Sequence, residues 1–128
     1  MAINMNKNTA WNLKPIPVES VREEVQGLLI EGEMVIMAFH SARDQLVFTN
    51  MRIISIDVQG ITGTRKSFGS LPYSKVQYFA VQTPGFAEMF SDSELMLMFS
   101  NGFTATFEFK GSVDIGRICR VISKFVLQ

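Results

Sequence analysis

The sequence predicts a mainly β fold, in which seven short antiparallel strands form a bent sheet or open barrel closed by a C-terminal helix. Three observations carry that reading. Residues 46–75, LVFTNMRIISIDVQGITGTRKSFGSLPYSK, are apolar segments separated by turn residues at Thr49-Asn50 and at Gly60 to Gly63. Asn101-Gly102 is the strongest short hairpin signal in the chain and joins two alternating runs. Beyond residue 113 the apolar period becomes helical: Ile115, Ile118, Cys119, Ile122, Phe125 and Val126 form one stripe.

Taken in order, residues 1–16 are Asn-rich, with Trp11 as the only large anchor and Pro15 and Pro17 closing them. They read as an irregular N-terminal arm, either held by Trp11 in an apolar groove or frayed. Residues 17–128 then read as one domain. Val18, Val21, Val25, Leu28 and Leu29 give a helical stripe over 18–30, with Pro17 at its start, Glu19, Glu23 and Glu24 in or near its first turn, and Gly32 ending it. Residues 34–40 are apolar on both faces, as in a strand covered from two sides. A turn at Ser41 to Asp44 returns the chain through Gln45 to Thr49. Residues 51–58 place Ile54, Ile56 and Val58 on one face and Ile53, Ser55 and Asp57 on the other. Strands are expected at about 66–71 and 75–82, broken at Pro72, which cannot donate to a ladder. A loop with Phe86, Met89 and Phe90 follows. The hairpin 94–109 carries Leu95, Leu97, Phe99, Phe103, Ala105, Phe107 and Phe109 inward. Ser112 is the expected N-cap of the last helix, and a helix with one apolar stripe suits the open corner of a barrel.

The 128 residues fit a single domain, which at this size buries roughly two thirds of the surface of its unfolded chain. Twelve basic and twelve acidic residues cancel, so the basic excess of a nucleic-acid binder is missing. Cys119 is the only cysteine, which excludes an intrachain disulfide and suits a reducing cytosol. MAINMNKNTAWNLKP lacks the apolar run of a signal peptide, and no window approaches the roughly 20 apolar residues of a membrane span. The cytoplasm is the expected address. The hydrophobic fraction is 47%, with eleven Phe and eight Met, so either the core is unusually full or apolar surface is buried against another chain.

LVFTNMRIIS, with Leu46, Thr49, Asn50, Arg52 and Ile53, resembles the Leu-x-x-Thr-Asn-x-Arg-hydrophobic hairpin of bacterial pleckstrin-homology (PH) domains. Gln59 to Gly63 and Pro72 to Lys75 are similar to the Gln-Gly-Ile-Thr-Gly loop and Pro-Tyr-Ser-Lys segment of a small single-domain branch of that family. The resemblance implies a PH-like barrel of seven strands in two roughly orthogonal sheets, capped by the C-terminal helix. It also implies a non-enzymatic binding module without cofactor that assembles as a ring-like homo-oligomer, a pentamer being the implied count. Family members often carry an Asp-rich segment after the Pro-Gly turn. Here Phe86 to Phe90 is greasier and only Glu88, Asp92 and Glu94 remain, which argues against a metal or charge role for that loop.

The residues offer little catalytic chemistry. Gly60-Ile-Thr-Gly63-Thr-Arg-Lys66-Ser67 has the wrong spacing for a phosphate loop, and a strand rather than a helix follows it. His40, the one histidine, neighbours Ser41 and Asp44 only in sequence, which makes no triad. One His and one Cys without ligand-spaced carboxylates make no metal site. Arg43, Arg65 and Lys66 are the candidate anion or lipid-headgroup group, on the two loops that PH-like domains use for phosphoinositides. Three charges on a neutral chain give no long-range pull toward an anionic bilayer, so membrane binding is expected to be weak or absent. Arg117, Arg120 and Lys124 read as the solvated face of the last helix. The apolar surplus is more informative. Met96 and Met98 face away from Leu95, Leu97 and Phe99, and Phe86, Met89 and Phe90 add to it. Either the barrel and the N-terminal helix bury both faces, or these five residues form a subunit interface.

Overall fold

Alternating apolar residues in the middle of the chain pair into a meander because each strand can bury one side only against the next. In the computed structural model, which describes residues 9–83, 92–111 and 113–128, that meander is β2 (Val35–Ser41), β3 (Asp44–Thr49), β4 (Arg52–Gln59) and β5 (Arg65–Pro72). Successive strands are antiparallel, from Ser41 opposite Asp44 to Gln59 opposite Arg65. A 3-10 turn, Tyr73–Lys75, leads to β6 (Val76–Gln82), and β7 (Ser93–Phe99) and β8 (Thr104–Phe109) complete a second meander.

The two meanders are joined by a strand where an irregular arm is expected. Residues Thr9–Ile16 form β1, so the strand count among the described residues is eight. Its first part runs parallel to β8, with Thr9 opposite Thr106, and its last part antiparallel to β2, with Lys14 opposite His40. The register shifts between Ala10 and Leu13, where Asn12 takes a φ of 55°. Asn is one of the few residues that adopts the left-handed region readily, and the bulge redirects the strand from one half-sheet to the other. Nothing in the local pattern announces this strand; its partners impose it. The Trp11 side chain lies outside the described residues. The sheet order is β5-β4-β3-β2-β1-β8-β7-β6 and the sheet does not close, so β5 and β6 are its edges among the described residues. What the sequence suggests as two sheets is one ladder in two halves.

The N-terminal helix expected over 18–30 is reduced to a 3-10 turn, Val18–Ser20, and a single turn, α1 (Glu23–Gln26). Val21 and Val25 are buried as the stripe requires, whereas Leu28 is exposed. Too short a helix is not stable by itself, and the Leu28 carbonyl is instead held by Arg52 at 2.8 Å. The last helix is α2 (Ile115–Val126). Asp114, not Ser112, caps it by accepting the Arg117 N–H at 3.0 Å, and Ser112 lies outside the described residues.

Two cores result. The inner one lies inside the bent sheet and contains Leu13, Phe39, Phe48, Ile53, Leu95, Leu97, Phe107 and Phe109, with Ile115, Ile118 and Ile122 of α2 closing it. The second lies on the outer face of β2–β4, where Ala38, Val47, Ile54, Ile56 and Val58 are covered by Val21 and Val25. This is why residues 34–40 are apolar on both faces. No helix among the described residues is long and apolar enough to cross a membrane.

Candidate binding surfaces

The turn between β3 and β4 brings together more polar side chains than any other described part of the molecule. Glu33, with its side chain fully buried, accepts at Oε2 from Thr49 Oγ1 (2.7 Å) and Arg52 Nε (2.9 Å). At Oε1 it accepts from Arg52 Nη2 (2.9 Å) and the Ile30 N–H (3.1 Å). Burial pushes its carboxyl pKa up, but these donors outweigh burial and hold it below the ordinary value. Thr49 Oγ1 also accepts the Met51 and Arg52 N–H groups, both at 3.0 Å. Asn50 accepts from the Met34 N–H at 2.8 Å and donates to the Gly32 carbonyl at 3.0 Å. Tyr73 donates to the Thr49 carbonyl at 2.8 Å and stacks on Phe125 at 5.4 Å. Burial, and then the nearby Glu33 charge, push its phenol well above the usual tyrosine range. Every polar member of the Thr-Asn-x-Arg pattern is thus engaged in tying the 28–34 loop to the turn. The pattern is architectural. Glu33 belongs to it and is invisible to hairpin reasoning, since nothing in the sequence separates it from Glu31 two positions earlier.

The basic candidates lie at the opposite end of the same half-sheet. Arg43, in the β2–β3 turn, donates to the Gly60 carbonyl at 2.7 Å, and Arg65 and Lys66 open β5 below that loop. Lys66 pairs with Glu24 of α1 at 3.3 Å. The sheet gathers all three near one end, but two of them hold the fold's own turn and helix. The Gly60 to Gly63 loop is a plain turn, with the Gly63 N–H on the Gly60 carbonyl at 3.2 Å, and β5 follows it. His40 is a half-buried strand-end residue opposite Gln45. Among the described residues no group of three His, Cys, Asp or Glu could hold a metal ion.

The outer face of β6–β8 is different. Register puts Tyr78, Met98 and Thr104 in one row, Ala80, Met96 and Thr106 in the next, and Gln82, Glu94 and Glu108 in a third. Tyr78 is 53% exposed and Met98 38%. The N-terminal segment that covers the corresponding face of β2–β4 does not reach this one. Phe86, Met89 and Phe90 lie outside the described residues. Of the expected interface set, Met96 and Met98 therefore share a face that no described residue covers, and Tyr78 and Ala80 extend it. The alternation of KVQYFAVQ identifies both additions once its register to β7 is known.

Residues 4–126 match the model of the bacterial PH domain. The chain belongs to that family. This PH domain is 42% identical over 89 residues to the uncharacterised Bacillus subtilis protein YjqA, covering 70% of each chain. It is 30% identical over 102 residues to YozO of the same organism, covering 80% of this chain and 86% of that one. Among solved structures it resembles a pleckstrin-homology domain protein from Shewanella loihica, with a TM-score of 0.77 and 31% identity over 91% of this chain and 99% of the other. A pleckstrin-homology domain from Shewanella amazonensis gives 0.66 and 32%, over 88% and 90% of the two chains. The PH-like fold and the family expected from the Thr-Asn-x-Arg and Pro-Tyr-Ser-Lys segments both hold. PH domains are generally non-enzymatic modules.

Proposed function

We propose that this PH domain is a non-enzymatic binding module of the cytoplasm that self-assembles into a ring-like homo-oligomer and presents a further surface to a protein or small ligand. The supporting observation is the uncovered apolar face of Tyr78, Ala80, Met96 and Met98, set against a β2–β4 half-sheet whose outer face is covered. Tyr78 and Met98 are exposed and Ala80 and Met96 half-buried. Contiguous apolar side chains on an open sheet face mark interaction surfaces, and Met and Tyr are residues that suit them. Phe86, Met89 and Phe90 are proposed to continue it, and a pentamer is the proposed count. A cyclic assembly needs the face of one copy to meet a different face of the next. Size exclusion with light scattering tests the reading. We expect a mass several times that of one chain and a Met96→Asp variant that elutes as a folded monomer by circular dichroism. A sharp monomer mass for the unaltered chain at micromolar concentration overturns it.

Lipid-headgroup binding through Arg43, Arg65 and Lys66 has weaker support, because Arg43 and Lys66 already hold internal partners. Co-sedimentation with vesicles containing phosphatidylserine at low salt is expected to pull down nothing.

A further inference from the structure

A groove of about 630 Å3 opens beside the edge strand β5, between the inner face of the β4–β5 hairpin and the β7–β8 turn. Its wall changes character along its length. At one end Asp57 stands opposite Ser67; in the middle Ser55 stands opposite Gly69; at the other end Leu71 meets Phe99 and Phe103. Gly69 is the informative residue. A glycine inside a strand weakens it, and usually answers to a bulge, a positive φ or the close approach of another chain. Here the β4–β5 register runs unbroken and Gly69 has no positive φ. A Cβ added to it would meet nothing within 4 Å, so the fold's own packing does not demand glycine either. Asp57 takes part in no ion pair among the described residues, and its carboxylate accepts from Gln59 at 2.9 Å. No strand pairs with the outer side of β5 among the described residues, so that edge offers main-chain donors and acceptors.

We propose that this groove binds an extended polypeptide segment of a partner protein as a strand added to β5. Residues two apart along such a strand face the same way, about 6.6 Å apart. The segment would carry a Lys or Arg over Asp57, a large side chain two residues on in the space left by Gly69, and an apolar one two further on against Leu71, Phe99 and Phe103. The proposal is independent of self-assembly.

Selection of a displayed library of random linear heptapeptides against the full chain, then titration of a synthesised winner into nitrogen-labelled protein, tests it. Winners should share the basic, large, apolar spacing, and amide shifts and slowed exchange should concentrate in 65–72. Gly69→Thr should raise the thermal midpoint, since a β-branched residue replaces glycine in open space, yet weaken the peptide by about tenfold. Asp57→Asn should remove the preference for a basic residue. Failure to select any peptide, shifts confined to the outer face of β6–β8, a small molecule or a second copy as the sole occupant, or equal affinity for Gly69→Thr each overturns it.

Discussion

Glu33 and Arg52 set the scale at which single residues matter here. Their pair is buried on the carboxylate side and four donors converge on it. Removing one partner strands the other in a low-dielectric site. Glu33→Ala or Arg52→Ala should therefore cost about 3 kcal/mol in urea denaturation. The pH dependence follows from the lowered carboxyl pKa of Glu33. Its contribution is fully present above the unfolded value, about 4.3, and is lost as pH falls through the lower folded value. The stability gap between the unaltered chain and Glu33→Gln should hold from neutral pH to about pH 5 and shrink in more acid solution. A gap that grows with acid would contradict this assignment. Ala42 makes an opposite case. Its φ of 51° sits in the left-handed region, which costs an L residue roughly 1–2 kcal/mol. Ala42→Gly should raise stability by about 0.5 kcal/mol, the remainder being offset by the greater unfolded-state freedom of glycine.

At the scale of elements, α2 shows how a helix start is decided. Asp114 supplies the cap oxygen for the Arg117 N–H, and Asp114→Ala should cost about 1 kcal/mol, measurable by thermal unfolding, with the strand signals unchanged. The sequence reading puts the cap at Ser112, but the helix begins at Ile115, so the residue before it, Asp114, supplies the oxygen. The meander β2–β5 and the hairpin β7–β8 were legible because period-two alternation and turn residues agree there. The helix over 18–30 was not. Its stripe is real, as Val21 and Val25 show, but an apolar stripe fixes which residues face a core, not whether the backbone between them is helical. β1 was illegible for the opposite reason: Thr9–Ile16 has no alternation of its own, and the free edges of β2 and β8 supply what local pattern lacks. On the candidate surface, the shared face of Met96 and Met98 could be read from alternation, while the place of Tyr78 and Ala80 beside them needed the β6–β7 register and its shift between Val76 and Tyr78.

For the whole molecule, the asymmetry between the two half-sheets is what matters. Among the described residues, β2–β4 carries apolar cover on both faces and β6–β8 on one. On the proposed assembly, Tyr78→Asp should lower the mass as is expected of Met96→Asp, because both residues lie on the same sheet face. Ile61→Asp, at a fully exposed position on the β4–β5 turn, is the matched control and should leave the mass unchanged. Loss of assembly in the control as well would point to a general charge effect instead of a defined face.

The bulged strand β1 also sets how this chain can fold. Its partner Thr106 lies in β8, seven strands further along the chain, while every other pairing among the described residues joins strands that are neighbours in sequence. The β2–β5 and β6–β8 units can form from local contacts, but the ladder between them must wait until both β1 and β8 are available. Such late, non-local closure slows folding. During synthesis β1 emerges long before β8 exists, and must remain unpaired on that side until β8 has been made. Removing residues 1–16 should accordingly leave two meanders with no hydrogen-bonded strand between them and abolish a single cooperative unfolding transition.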